Sequence, residues 1–524
     1  MKRTILLLII LNFQFTVLNC FSQPAIQWEK CLGGSGTDQA WSVCQTFDGG
    51  YIVAGQALSR DGNLDSSNHI GSAWLVKLDN DGIIQWQNSY GGSSNDDIVY
   101  SIIQTSDSGF IFTGQTGSTD GDLTNSGNHG GGDVWVCKLN DTGAIEWSKC
   151  YGGPGFDLAH SIVQTIDGGY ILAGEAGSNG GDVSGFHGGL YDDWVVKLND
   201  TGAIQWSKCY GGSNIDWAFS IIQTVDSGYI VAGVSNSTDG DVSAIYNGYN
   251  GDEWIIKLDT LGNIQWEKCY GGPNGSTAYS ILQTLDGGYI TGGNAFAEGG
   301  DIIGFHGGMS DYWVVRLTDT GNIQWAKCFG GSDDDEGHSI VKTVDGNYAI
   351  GGYSISTDYD VTGNHGLDDY WVVKLDTNGN MIWEQSYGGI NSEDAYCMIA
   401  TNDNGMAITG YANGSSDEVT GYHGGQFDYW VVKLNPDPIT GIKEINSNEV
   451  VRVYPNPASN TITFSQSGIR NYELRITDVL GRVVYKTSLS RDNNSIAISD
   501  FSNGVYFYQL TNSKETVRGK FVKE

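Results

Sequence analysis

Tryptophan returns along this chain at a nearly constant interval, and this feature constrains the fold more than any other. The first series lies in segments similar to Ile-Gln-Trp, with neighbours 58 to 61 residues apart: Trp28, Trp86, Trp147, Trp206, Trp266, Trp325 and Trp383. The second series lies in W-V-V-K-L or a close variant and keeps the same interval: Trp74, Trp135, Trp194, Trp254, Trp313, Trp371 and Trp430. Such an interval indicates one supersecondary unit copied seven times.

Each unit contains four short apolar runs, as the third copy shows. Residues 144–149, 161–164, 170–174 and 194–198 read as strands, and Asp167-Gly168-Gly169 between the second and third reads as a tight turn. Four strands of about five residues are typical of a propeller blade. We therefore predict an all-β fold, in which a seven-bladed β-propeller of four-stranded blades is followed by a small C-terminal β-sandwich.

The order of the strands within a blade follows from the turns that join them. Ser-Ile-x-Gln-Thr should be innermost, then Tyr-Ile-x-Ala-Gly, then Trp-Val-Val-Lys-Leu, with Ile-Gln-Trp outermost. On this phase the first Ile-Gln-Trp has no blade before it, and the last Trp-Val-Val-Lys-Leu has no outer strand after it. We predict that residues 26–30 pair with the strand of Trp430 and close the ring, so that no terminal blade edge is left exposed.

The repeat resembles two known kinds of sequence. The strand order and the Gly-Gly, Tyr and Trp positions are similar to those of kelch-type propellers, although here Gly-Gly follows the outer strand rather than the second one. The copies at 147–174 and 206–232 resemble a prokaryotic repeat of the form W-x-K-x-Y-G-G-S-x-x-D…Q-T-x-D-G-G-Y-I-x-A-G, found in secreted proteins of unassigned function.

The charge of the chain excludes some partners. The 61 acidic and 27 basic residues give a net charge of −34. Nucleic acid is disfavoured because phosphate contacts need clustered Lys and Arg, and an anionic membrane surface is disfavoured for the same reason. The composition suits an extracellular protein, which we expect to be a monomer.

The N-terminus is typical of a signal peptide. Lys2 and Arg3 precede an apolar stretch, and small residues at Cys20 and Ser22 allow cleavage before Gln23. We assign residues 1–22 to this signal; the alternative is a lipoprotein in which Cys20 carries the lipid. No other segment is apolar enough to cross a membrane. Five cysteines share one repeat position, and because equivalent positions on different blades are far apart, we expect small buried residues rather than disulfides: Cys31, Cys150, Cys209, Cys269 and Cys328.

After residue 435 the tryptophan interval is lost. Residues 436–449 read as a linker, and residues 450–524 contain short alternating runs that indicate a small sandwich. This last segment resembles the C-terminal sorting domain of the type IX secretion system of Bacteroidota. The resemblance rests on V-Y-P-N-P at 453–457, I-T-D-V-L-G-R at 476–482, G-V-Y-F-Y at 504–508 and K-F-V-K at 520–523. It implies passage across the outer membrane by the type IX machinery, with the cargo then held at the surface or released. It also implies that the sorting signal includes Pro455, Asn456, Pro457, Gly481, Arg482, Gly504, Tyr506 and Lys520.

Acidic residues and histidines gather in the loops of one face of the predicted propeller. An acid follows each Gly-Gly except in the copy with Ser276: Asp38, Asp96, Asp157, Asp216, Asp335 and Glu393. A His recurs in six of the long loops: His69, His129, His187, His306, His365 and His423. These loops also carry aspartates that are candidate calcium ligands, because Ca²⁺ prefers oxygen donors: Asp120, Asp122, Asp133, Asp239, Asp241 and Asp252. The alternative is that Asp and His satisfy loop amides; zinc is disfavoured because the histidines belong to different blades.

Two tryptophans lie outside both series, just before the innermost runs. Trp41 and Trp217 are candidates for stacking on sugar rings at the channel mouth, and core packing is the alternative. The Thr-x-Asp-x-Gly turns partly resemble the Asp-box of sialidases, but that class needs several Arg, and the propeller has only Arg60 and Arg316. No acid–base pair or nucleophile stands out, so we do not expect an enzyme.

These observations leave three functions open. The first is a surface or secreted binding module for an extracellular glycan or protein. The second is an extracellular carbohydrate-active enzyme with a carboxylate site at the channel. The third is a structural surface protein without a small ligand. A propeller fold does not choose among them.

Overall fold

The computed structural model describes residues 23–64, 71–243, 245–246, 250–437, 452–454, 458–465, 472–477, 482–489, 494–511 and 516–523. The predicted signal peptide, His69 and most of the predicted linker lie outside these residues. Contacts divide the chain into one unit up to Pro438 and a second from Ile439 onward.

Seven four-stranded antiparallel sheets form the first unit, and each is one blade. The innermost strands are β2 (Asp38–Gln45), β6 (Ile98–Gln104), β10 (Asp157–Gln164), β14 (Asp216–Gln223), β18 (Ser276–Gln283), β22 (Asp335–Lys342) and β26 (Glu393–Ala400). The second strands are β3 (Tyr51–Ala57), β7 (Phe110–Thr116), β11 (Tyr170–Ala176), β15 (Tyr229–Ser235), β19 (Tyr289–Ala295), β23 (Tyr348–Ser354) and β27 (Met406–Ala412). The third strands are β4 (Ser72–Leu78), β8 (Asp133–Leu139), β12 (Asp192–Leu198), β16 (Asp252–Leu258), β20 (Asp311–Leu317), β24 (Asp369–Leu375) and β28 (Asp428–Leu434). The outer strands are β5 (Ile84–Tyr90), β9 (Ile145–Tyr151), β13 (Ile204–Tyr210), β17 (Ile264–Tyr270), β21 (Ile323–Phe329), β25 (Met381–Tyr387) and β1 (Ile26–Leu32). One 3₁₀ turn, Gly121–Leu123, interrupts a long loop.

The innermost strands contact one another in a closed cycle, in which β26 returns to β2. The predicted all-β propeller of seven blades, with the predicted strand order, is therefore confirmed. The first strand pairs with the last, and Cys31 lies opposite Trp430. This is the pairing that the strand phase predicts. Tyr387 supports it, because its hydroxyl donates to the carbonyl of Pro24 at 2.6 Å.

Buried aromatic side chains fill the spaces between the blades. The tryptophans of the third strands are at most 1% exposed. In three blades a tyrosine one residue before this tryptophan donates to the backbone of the next blade, as Tyr429 does to the Trp74 carbonyl at 3.1 Å. Because every blade packs between two others, its strands are apolar on both faces. Of the five repeat-position cysteines, four are buried and Cys269 is half-buried, and none forms a disulfide within the described residues.

The second unit contains two antiparallel sheets. One has β29 (Arg452–Tyr454), β30 (Thr461–Ser465) and β33 (Ser495–Ala497). The other has β31 (Tyr472–Thr477), β32 (Val483–Leu489), β34 (Gly504–Thr511) and β35 (Thr516–Lys523). Alternating side chains such as Leu474, Ile476 and Leu510 are fully buried in one core. This is the small β-sandwich expected from the sequence.

Candidate functional site

The acids that follow Gly-Gly are buried and bind backbone amides of their own loops. Asp38 has no exposed surface; its Oδ2 accepts from the amide of Gly34 at 2.9 Å and its Oδ1 from that of Leu58 at 3.0 Å. The same contact to the second glycine recurs at Asp157, Asp216, Asp335 and Glu393. Ser276 replaces the acid in one blade, and its hydroxyl donates to the Tyr270 carbonyl. These side chains hold the loop rather than offer a surface to a ligand.

In the second blade the structure corrects the predicted residue. The amide of Gly92 donates to Asp97 at 2.8 Å, and Asp97 is fully buried. Asp96, which the sequence spacing favours, is exposed. This loop has one residue more than the others between the second glycine and the acid, so counting from Gly-Gly selects the wrong neighbour.

The recurring loop histidines also have a structural partner. In the described loops, the His amide donates to the aspartate that precedes the third-strand tryptophan, as His187 does to Asp192 at 2.6 Å. The imidazole Nδ1 of His187 lies 2.8 Å from the same carboxylate oxygen, and its Nε2 lies 3.5 Å from Asp241 of the next blade. His129 and His306 likewise lie between two carboxylates at a junction between blades, whereas His365 and His423 contact the aspartate of their own loop.

The six aspartates predicted to bind calcium do not converge. Asp120 and Asp122 accept from amides in the loop before their blade, at Ser93 and Gly91, whereas Asp133 accepts from the His129 amide and faces the next blade at Gly152. In the other loop, Asp239 accepts from Ser213, Asp241 lies near His187, and Asp252 accepts from Tyr246. Within the described residues, no three His, Cys, Asp or Glu side chains form a group that could hold a metal ion.

Trp41 lies within β2 rather than before it, and its ring takes part in a closed ring of side chains. It stacks on Tyr396 with ring centroids 4.1 Å apart and contacts Tyr100 at 5.6 Å. Each of seven side chains, one from each innermost strand, contacts both neighbours, with centroid distances between 4.1 and 5.6 Å: Trp41, Tyr100, His160, Phe219, Tyr279, His338 and Tyr396. We call these seven residues the aromatic collar.

Every residue of the collar sits at a β-bulge. The pairing of the first two strands shifts between Ala40 and Ser42 and at the equivalent point in all seven blades. A bulged residue has no cross-strand partner, and the bulge redirects its side chain. The two tryptophan series do not reveal the collar, but the sequence carries a signal for it: an aromatic residue or His stands directly before the Ser-Ile-x-Gln run or its variant in every copy.

Two collar histidines are held by carboxylates. His160 Nε2 lies 3.2 Å from Glu175 Oε2, and His338 Nε2 lies 3.2 Å from Glu336 Oε2. Although burial opposes ionisation of Glu336, the hydrogen bond and charge of His338 lower its pKa. These contacts fix the orientation of two of the seven rings.

A third carboxylate lies beside Glu336 on the next innermost strand. Asp394 accepts from the Tyr411 hydroxyl at 2.5 Å, and its other oxygen is buried without a hydrogen-bond partner. Burial raises the pKa of Asp394 to about 6. This side of the channel mouth is therefore acidic, and neither Glu336 nor Asp394 makes an ion pair with Lys or Arg in the described residues.

Trp217 also lies within its innermost strand, β14, two residues before the collar residue Phe219. It lines a cavity of about 380 Å³ at the channel mouth, between the fourth and fifth blades. The cavity is lined by Ile215, Trp217, Phe219, Val234, Asn236, Asn250, Thr277, Tyr279 and Phe296. The indole Nε1 of Trp217 is buried and has no hydrogen-bond partner. The Nε1 atoms of Trp313 and Trp383 share this feature, so what distinguishes Trp217 is its place in the cavity wall beside Phe219 and Tyr279.

Four of the eight residues assigned to the sorting signal can be placed. Arg482 is exposed directly before β32, Gly504 begins β34, and Lys520 is exposed on β35. Tyr506 is buried against Phe521, with ring centroids 5.6 Å apart. The others, Pro455, Asn456, Pro457 and Gly481, lie outside the described residues.

Comparison with a protein-family model gives this unit its assignment. Residues 452–524 match the Secretion system C-terminal sorting domain. The chain is therefore a type IX secretion cargo, exported to the cell surface or released, and its folded body is the propeller. No helix of the described residues is long and apolar enough to cross a membrane.

The chain matches two curated proteins over part of its length. One is an endo-acting ulvan lyase of Formosa agariphila, 27% identical over 136 residues, which are 26% of this chain and 26% of the relative. The other is the regulatory protein FlaEY of Caulobacter vibrioides, 23% identical over 261 residues, which are 46% of this chain and 26% of the relative. The chain thus spans about a quarter of the length of each. Among solved structures, the WD40 domain of Pan2 from Neurospora crassa is 10% identical, with a TM-score of 0.40, over 78% of this chain and 96% of that one.

Proposed function

We propose that this exported propeller is a glycan-binding module whose site is the cavity beside Trp217. The observation that carries the proposal is the cavity of about 380 Å³ at the channel mouth, because three aromatic residues, Trp217, Phe219 and Tyr279, line it together. Aromatic rings stack on the apolar faces of sugars, and a small number of placed polar groups then gives specificity. Here Trp217, Phe219 and Tyr279 offer rings, and Asn236 and Thr277 offer polar side chains.

The charge of the mouth favours neutral glycans. Glu175, Glu336 and Asp394 lie around it, and Arg60 is the one arginine in the loops of this face in the described propeller. An anionic sugar would therefore meet carboxylates rather than the bidentate cations that usually hold it. The match to a protein named as an ulvan lyase gives a further reason to screen glycans before proteins.

The test is isothermal titration of the full-length protein with a panel of neutral hexasaccharides. We expect Trp217→Ala to lower affinity at least tenfold, about 1.4 kcal/mol or more, because it removes a stacking ring. Trp217→Phe should lose less, since it keeps an aromatic ring for stacking, although a smaller one without the N–H donor. Phe47→Ala is the control, because Phe47 is an exposed aromatic residue in a turn at the opposite end of an innermost strand.

The same titration separates the other two functions. A binding module returns the oligosaccharide unchanged after prolonged incubation, whereas the carbohydrate-active enzyme of the alternative proposal would shorten or modify it. A structural surface protein would give no saturable binding with any member of the panel. If Trp217→Ala and the wild type bind equally well, the cavity is not the site.

A further inference from the structure

We infer that this site recognises the end of a glycan chain rather than its interior, because the aromatic collar closes the channel directly beneath it. The inference rests on the proposed glycan-binding function. It adds a restriction on the ligand that stacking and polarity alone do not impose.

The collar must surround the channel axis. Its seven members lie on seven different innermost strands, and those strands contact one another in a closed cycle. Since each ring contacts the ring on either side, the chain of ring contacts also closes on itself. A chain of contacts that passes once through every blade cannot lie to one side of the axis.

The collar leaves too little space for a sugar chain to pass. A regular heptagon with sides of the observed 4.1–5.6 Å has a radius of about 6 Å, and the ring atoms themselves occupy much of that distance. The remaining opening is a few ångströms across. The collar is also rigid, because carboxylates hold His160 and His338, and Trp41 is stacked on Tyr396.

The collar forms the floor of the cavity. Phe219 and Tyr279 belong both to the collar and to the cavity wall, whereas Asn236 and Asn250 belong to the loops at its upper rim. A ligand that reaches the rings from the open face therefore cannot continue below them. With about 380 Å³, the cavity is near the lower end of the range of ligand pockets, so it accepts a few sugar units rather than a long segment.

Blocking each chain end separately tests the inference. The probes are cellohexaose, laminarihexaose and mannohexaose, each titrated into the full-length protein. The hexasaccharide that binds most tightly is then prepared in two blocked forms. One carries 2-aminobenzamide at the reducing end, and the other carries a benzylidene acetal on the terminal sugar at the non-reducing end.

We expect one blocked form to bind at least tenfold more weakly and the other to bind within twofold of the parent. If both blocked forms keep the affinity of the parent, the inference is overturned and the glycan binds through its interior, while the glycan-binding function stands. An equal loss of affinity with both blocked forms also overturns the inference, because a site that is closed below can accept only one end of the chain. If no unmodified hexasaccharide binds, the proposed function itself fails. Trp217→Ala should weaken binding of the parent hexasaccharide at least tenfold, which shows that binding at the cavity is being measured.

Discussion

Carboxyl pairs buried between the blades should make this propeller less stable as the pH rises. At the junction of the sixth and seventh blades, Asp369 Oδ1 and Glu393 Oε2 lie on either side of Gly388, 2.6 and 2.7 Å from where its Cβ would be. Asp369 and Glu393 have no exposed surface. Burial, opposed by the Gly389 amide and reinforced by the charge of Asp369, raises the pKa of Glu393 to about 7. Burial also raises the pKa of Asp369.

The sign of the effect follows from linkage. A carboxyl group with a raised pKa in the folded state binds its proton more tightly there than in the unfolded chain, so its contribution to stability is present below the unfolded pKa. That contribution is lost as the pH rises through the folded value. For Glu393 the loss begins as the pH rises above 4.5, the ordinary pKa of a glutamate, and is complete beyond about pH 7. The whole shift corresponds to about 3 kcal/mol, and only part of it comes from Asp369.

Asp369→Asn removes the repulsive charge and places an amide where the carboxyl group was. The amide oxygen can still accept from the His365 amide, now 2.8 Å from Asp369, and the NH₂ group can donate to Glu393. We expect the free energy of unfolding to rise by about 1–2 kcal/mol at pH 8 and to change little at pH 5. Urea unfolding followed by tryptophan fluorescence measures this. Asp96→Asn is the matched control, because Asp96 is exposed. Equal destabilisation by Asp369→Asn at both pH values would refute the reasoning.

Two further perturbations test other parts of the fold. Deletion of residues 23–32 removes the strand that pairs with β28. We expect the exposed edge of β28 to cause aggregation, which size-exclusion chromatography would detect. A monodisperse, protease-resistant product would contradict the role of this strand in closing the ring. At the acid limit, the Thr46 hydroxyl and the Lys77 ammonium group outweigh burial and lower the pKa of Asp48 to about 2. The stabilising contribution of Asp48 is therefore present above about pH 4 and lost as the pH falls towards 2. Asp48→Asn should make the free energy of unfolding depend less on pH between these values. An unchanged pH dependence would rule out this ion pair as its cause.

Most of the fold could be predicted because repetition makes the sequence redundant. Seven copies of Trp-Val-Val-Lys-Leu or a close variant, with their turns, determine blade number, strand order and the unpaired first and last strands, so an irregularity in one copy changes little. Asp96 shows the limit of this reasoning. One additional residue in the loop moves the amide-binding role to Asp97, and only the path of the backbone reveals that shift.

The candidate site was harder to predict because it depends on where bulges direct side chains. Trp41 and Trp217 both lie near the start of an innermost strand, and from the sequence both are candidates for the same role of stacking on sugar rings. In the structure Trp41 occupies the bulge and belongs to the collar, whereas Trp217 lies two residues before a bulge and lines the cavity. Their different roles come from their positions relative to the bulge, which differ by two residues. That a tryptophan lies outside the two repeat series does not reveal this difference.

Residues of the channel mouth that recur from blade to blade therefore have a different role from residues that vary between blades. The glycine-binding acids and the loop histidines recur from blade to blade, and both groups bind atoms of the protein itself. Two residues before the collar residue on each innermost strand, in contrast, the residues differ from blade to blade: Gln39, Ile98, Leu158, Trp217, Thr277, Glu336 and Asp394. Symmetric positions must satisfy the same packing in every blade, as the collar position does with an aromatic residue or His in all seven copies. Variation at the neighbouring position is therefore what a single asymmetric ligand would require.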